Sequence, residues 1–152
     1  MKKLEQVREI AEIAVNPLAF LKYVKIQEPN ELAVEYELWP HLVNFYQALE
    51  VYPLIDLIKS KKIGISWALA IHALRKIMTK PGWRVLEFSK GMIEAQELLA
   101  KSKIVYHNLP EWMKEIPEWS ILEPNSSEQF GFKGMRSLIR AYPSTETAGV
   151  GE

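Results

Sequence analysis

Between Leu54 and Tyr106 the chain runs through four segments of alternating character: a short apolar run, a helical pattern from Ile65 to Met78, a second short run "RVLEFS", and a helical pattern from Lys90 onward. This β-loop-α-β-α succession constrains the fold more than any other feature. Strands alternating with helices pack as a parallel sheet covered by those helices. The expectation is therefore an α/β protein with a mostly parallel sheet, in which Leu54–Lys59 and Arg84–Ser89 are strands.

The flanks are legible in the same way. Leu4, Val7, Ile10, Ala11 and Ala14 fall on one face of a helix over 3–15, which Asn16-Pro17 closes. A short helical piece follows at 18–24. "ELAVEYEL", residues 31–38, alternates apolar and acidic residues as a half-exposed strand does. Trp39-Pro40 breaks that strand, and Pro40 suits the first turn of a helix running to Val51. The proline-rich "NLPEWMKEIPEWS" reads as an irregular excursion, with short strands at 121–123, 130–133 and 137–142 completing the sheet. "PSTETAGVGE" has no periodicity and reads as a loop or frayed end.

Composition narrows the function classes. With 152 residues, 48% of them hydrophobic and 25% charged, the chain can bury a sizeable core. Its 19 basic and 19 acidic residues cancel, so net charge offers no argument for a nucleic-acid or membrane partner. The lack of cysteine excludes disulfides, thiolate metal sites and a cysteine nucleophile. His41, His72 and His107 are far apart and lack metal-ligand spacing. No apolar run approaches the roughly 18–20 residues that span a bilayer, and the N-terminus does not resemble a signal peptide. The expectation is a soluble, cytoplasmic protein.

The chemistry concentrates in "KSKKIGIS", residues 59–66. In an open parallel sheet, ligands bind beyond the carboxyl ends of the strands, where this loop is expected. A helix starting there turns its free N–H groups and positive dipole end toward the loop, which suits a phosphate. Lys59, Lys61 and Lys62 add positive charge, Gly64 permits close backbone approach, and Ser66 offers a hydroxyl to magnesium. The alternative is a solvated lysine cap on an ordinary turn. The usual phosphate-loop pattern is G-x-x-x-x-G-K-[ST]. Here Lys59 replaces the first glycine and Ile65 the usual lysine, so the charge moves to the front.

"LIKSKKIGISW" resembles the variant phosphate loop of the large terminase subunit of tailed bacteriophages. The likeness extends to "FLKYVKI", "YELWPHLVNFYQAL", "RVLEFSKGMIEAQELLAKSKIVYHNLP" and "FKGMRSLIRAYPSTETAGVGE", in the family's order, and covers most of residues 17–152. The resemblance implies an ATPase of the RecA-like, additional-strand P-loop class that drives double-stranded DNA into a procapsid. Residues 1–30 would form a helical segment and 31–152 a partial ATPase domain, incomplete at its C-terminus. ATP and Mg would be the cofactors; double-stranded DNA, a portal protein and a small terminase subunit would be partners, in the cytoplasm of a bacterial host. Residues Lys59, Ser60, Lys61, Lys62, Ile63, Gly64, Ile65, Ser66 and Trp67 would hold the nucleotide, with Ser66 on magnesium and Trp39 and His41 near the base.

The sequence departs from that family in four places. Lys61 stands where arginine is common, and Leu42 where a glutamine reads adenine. Val150 takes the place of an expected Gly-Arg-Gly arginine, leaving Arg136 and Arg140, expected on one strand face, as arginine-finger candidates. No apolar run ends in Asp-Glu; Asp56, the only aspartate, lies too early, and Glu87 reads as structural. The expectation is the N-terminal portion of a longer motor, turning over very slowly alone and prone to self-association through an exposed sheet edge. Two competing readings are a non-catalytic interaction module and a nucleic-acid binder using Lys59–Lys62 and Arg75-Lys76.

Overall fold

The computed structural model describes residues 3–144. Helix α1 (Lys3–Val15) ends at Asn16, whose Oδ1 accepts from the Leu18 N–H at 3.0 Å and caps α2 (Pro17–Leu21). Proline at the first position of α2 needs no donor there, so the side-chain cap and Pro17 together reset the chain direction. Of the apolar face expected on α1, Leu4, Val7 and Ala11 are exposed and Ile10 and Ala14 half-buried, while the buried residue, Ile13, lies outside the expected set.

Strands β1 (Lys25–Glu28) and β2 (Glu31–Glu35) follow as an antiparallel hairpin joined at Pro29-Asn30. Helix α3 (Pro40–Val51) begins at Pro40, and α4 (Ile65–Thr79) and α5 (Met92–His107) flank β3 (Arg84–Ser89) in the chain. Strands β4 (Gln129–Phe132) and β5 (Ser137–Pro143) complete a second sheet, ordered β3-β5-β4.

This arrangement corrects the expected mostly parallel, P-loop sheet flanked by helices. The protein is a small α/β fold with a two-stranded antiparallel sheet and a three-stranded mixed sheet, in which only β3 and β5 are parallel. Connection length explains the difference. Two residues join β1 to β2 and four join β4 to β5, and such short links permit only antiparallel pairing, whereas β3 reaches β5 through α5. Residues 54–59, expected as a strand, pair with neither sheet. Leu54 is 87% and Ile58 97% exposed, and among the described residues no backbone hydrogen bond involves 54–58. The apolar pattern was real, but a strand exists only with a partner. The 121–123 strand reduces to a bridge between Ile121 and Phe132.

The core is organised around α4. Ile65, Ala68, Ile71, Leu74, Ile77 and Met78 lie buried against Leu99 and Val105 of α5, Phe130 and Phe132 of β4, and Ile139 of β5. Small residues let α5 approach closely, and Ser102 Oγ donates to the Ala70 carbonyl at 2.9 Å. The last carbonyls of α4 lack helical partners. Ser137 Oγ fills this need at Ile77, and Trp119 Nε1 at Met78, 2.8 Å away. The proline-rich excursion therefore packs: α6 (Glu111–Lys114) and a 3₁₀ turn, Pro117–Trp119, deliver Trp119 beneath α4.

The register of β4 against β5 depends on Gly131, opposite Leu138. A Cβ there would lie 2.3 Å from the Ser137 carbonyl oxygen and 2.8 Å from Leu138 Cβ. Backbone cannot yield as a flexible side chain can. Gly131→Ala is expected to destabilise the protein by about 1–3 kcal/mol, read as a lower urea midpoint; an unchanged midpoint would contradict this packing.

Candidate functional site

The loop before α4 turns on two residues of positive φ, Lys62 at 60° and Gly64 at 81°. Gly64 tolerates that geometry without strain, and its left-handed conformation sets the N-terminus of α4. No side chain caps this 15-residue helix, so the amides of its first turn are free to meet a ligand. His41, in the first turn of α3, donates from Nε2 to the Ile63 carbonyl at 2.9 Å and ties the loop to that helix. Leu42 supports the loop from beneath, its Cδ1 3.4 Å from where a Cβ on Gly64 would sit.

Two clefts meet at this turn. The smaller, about 150 Å³, is lined by Lys59, Lys62, Ile63, Gly64, Ile65, Ser66 and Trp67. The larger, about 590 Å³, has Trp39, Leu42, Lys62, Gly64 and Trp67 on one side and Ile26, Val34, Tyr36, Glu28, Glu35 and Glu37 of the hairpin region on the other. Lys62, Gly64 and Trp67 belong to both. The pair of clefts is electrically polarised, with lysines and a helix N-terminus at one end and carboxylates at the other.

Most of the residues expected at the site converge, though not all. Lys61 and Ser60 are exposed and line neither cleft; Lys59 Nζ donates to the Ser60 carbonyl at 3.2 Å. Trp39 faces the larger cleft with its ring 5.6 Å from that of His41, which supports the loop from behind. The arginine candidates are placed apart from each other. Arg136 sits at φ 51° in the β4–β5 turn, near the C-terminal end of α4, where Gly82 N–H bonds the Met135 carbonyl. Arg140 is half-buried on β5 and donates to Gln129 Oε1 at 3.0 Å. The strand face expected to carry both does not exist, because Arg136 precedes β5. Val150 lies outside the described residues.

The hairpin wall was missed in the sequence. "ELAVEYEL" marked one strand, but Lys25–Glu28 carries a single buried residue, Ile26, too little alternation to declare its partner.

No family model and no curated protein matches this chain. The likeness to terminase large subunits therefore rests on the quoted motifs alone. Among the described residues no helix is long and apolar enough to cross a membrane, and no group of three or more His, Asp or Glu side chains is placed to hold a metal. A magnesium ion fits here only as nucleotide-bound Mg²⁺, which keeps most of its waters and phosphate oxygens and needs one or two protein ligands. The exposed Ser66 hydroxyl in the smaller cleft suits that role.

Proposed function

We propose that this chain docks a nucleoside triphosphate, ATP with Mg²⁺, across the two clefts. The observation that carries this reading is the meeting of a phosphate-sized, lysine-lined pocket and a base-sized cleft at the uncapped N-terminus of a 15-residue helix. The charge asymmetry fixes orientation. Lys59, Lys62 and the first amides of α4 attract the triphosphate, Ser66 offers a hydroxyl to its magnesium, and the base lies between Trp39 and the hairpin wall. Glu28, Glu35 and Glu37 repel phosphates from that end and can accept from an amino group on the base.

With the motif resemblance, this site supports a larger proposal. The chain would dock nucleotide in a packaging motor similar to the terminase large subunit, working in the bacterial cytoplasm with double-stranded DNA, a portal protein and a small subunit. The exposed apolar run at 54–58 supports self-association.

Calorimetry with Mg-ATP tests the docking, with phosphate release followed in the same samples. Saturable binding is expected, weakened about tenfold by Lys59→Ala and likewise by Lys62→Ala, with negligible turnover. Binding untouched by both substitutions would remove the phosphate assignment. No binding in any variant would leave the interaction-module reading, with residues 54–58 as its surface.

A further inference from the structure

Trp67 joins the nucleotide clefts to a buried acid. Besides lining both clefts it borders a shallow groove with Lys101 of α5, whose ammonium lies 5.6 Å from the centre of the indole ring. Lys101 is also the charge acting on Glu87 of β3. Glu87 is 6% exposed, and its Oε2 has no hydrogen-bond partner. Burial pushes its pKa up to about 7, the Lys101 charge only partly opposing the rise.

The other charged groups on the elements around β3 are engaged elsewhere or exposed. On α4, His72, Arg75 and Lys76 converge on Glu50. Arg140 of β5 bonds Gln129, and Lys103 of α5 bonds Asn125 and the Ser126 carbonyl. Glu94, Glu97 and His107 lie on exposed positions of α5. Glu28 and Glu97 border the same groove as Lys101, but both are solvent-exposed, where an ion pair contributes little; the indole face and the buried carboxyl are the partners that compete for Lys101 away from solvent.

We propose that Glu87, acting through Lys101, positions Trp67 and so makes the nucleotide cleft proton-sensitive. While Glu87 is neutral, the Lys101 ammonium rests on the indole and holds the ring at the cleft mouth. When Glu87 releases its proton to solvent, a buried carboxylate without a partner is costly, and the lysine is drawn off the ring toward it. Trp67 then loses its support. Glu87 and Lys101 are positioning residues, since neither lines the two clefts assigned to the nucleotide.

The affinity part rests on the nucleotide reading, so the first test uses the free protein. The side-chain N–H resonance of Trp67, assigned among the five tryptophans with Trp67→Phe, is followed from pH 5.5 to 8.5. It is expected to move with a midpoint near 7 and to stay fixed in Glu87→Gln and in Lys101→Met. No titration in the wild type, or the same titration in Glu87→Gln, would overturn the proposal. Mg-ATP affinity is then compared at pH 6 and pH 8. Wild type is expected to weaken about threefold more than Glu87→Gln over that interval, while equal changes would overturn the coupling. Titration of Trp67 without nucleotide binding at either pH would overturn the functional reading and leave the positioning pair in place.

Discussion

Arg75→Ala is expected to lower the free energy of unfolding by about 3–5 kcal/mol. Arg75 projects from α4 and is 2% exposed, among the most buried side chains in the protein. Its guanidinium donates from Nε to the Ile13 carbonyl at 2.8 Å, from Nη2 to the Ala14 carbonyl at 3.0 Å, and from Nη1 to Glu50 Oε1 at 2.8 Å. The first two acceptors belong to the last turn of α1, which has no basic residue of its own. Arg75 thus supplies from another helix the cation and donors that a helix C-terminus lacks. Glu50, at the end of α3, also takes Lys76 at 3.1 Å. Burial opposes its ionised form, but the Lys76 and Arg75 contacts outweigh that and hold its carboxyl below the ordinary value. One planar fork therefore ties three helices together. Arg75→Lys keeps the charge but cannot reach all three acceptors, and is expected to recover less than half of the loss. Urea denaturation measures both; a loss under 1 kcal/mol for Arg75→Ala would mean that α1 docks by its apolar residues alone.

That contact illustrates how far the sequence could be read. Helix α4 was legible to within a residue because its apolar positions recur at helical spacing, but residue type made Arg75, with Lys76, a candidate for contacting nucleic acid, whereas it is 2% exposed. The reason lies in Ile13, Ala14 and Glu50, between 25 and 62 positions earlier in the chain, and no local pattern carries that pairing. Strand pairing failed for a related reason. Glu87 and Ala141 are register partners although far apart in sequence, and residues 54–59 have the pattern of a strand with nothing to pair against. Of the candidate site, the loop and its lysines were read from residue types alone. The hairpin wall and the Trp67–Lys101 contact depend on how β1 and α5 approach the loop, which is tertiary packing. Exposed apolar surface at Leu54 and Ile58 marks where the sequence expectation and the fold disagree most.

Two buried titratable groups are expected to cancel in the pH dependence of stability. Burial raises Glu87 from 4.5 to about 7, so the folded state binds its proton more tightly than the unfolded chain does. Its contribution is complete below pH 4.5 and is lost as pH rises through 7. His72 runs the other way. Burial, reinforced by the Lys76 charge and partly offset by Glu50, lowers it from 6.5 to about 4, and its Nδ1 has no hydrogen-bond partner. Its contribution is complete above pH 6.5 and is lost as pH falls through 4. Between pH 4.5 and 6.5 the two slopes oppose each other, each about 1.4 kcal/mol per pH unit at most. Wild-type stability is expected to be nearly level across that window. Glu87→Gln removes the falling component and exposes the rising one, so the variant gains about 2–3 kcal/mol between pH 4.5 and 6.5. His72→Gln should show the mirror image, falling by a similar amount, and the double variant should be level again. Urea unfolding of the four proteins at pH 4.5, 5.5 and 6.5 measures this directly. A level profile in His72→Gln, which keeps only the Glu87 component, would show that Glu87 is ionised in the folded protein well below neutrality. Lys101 would then be its partner throughout the range and could not be released to Trp67 by protonation near neutral pH.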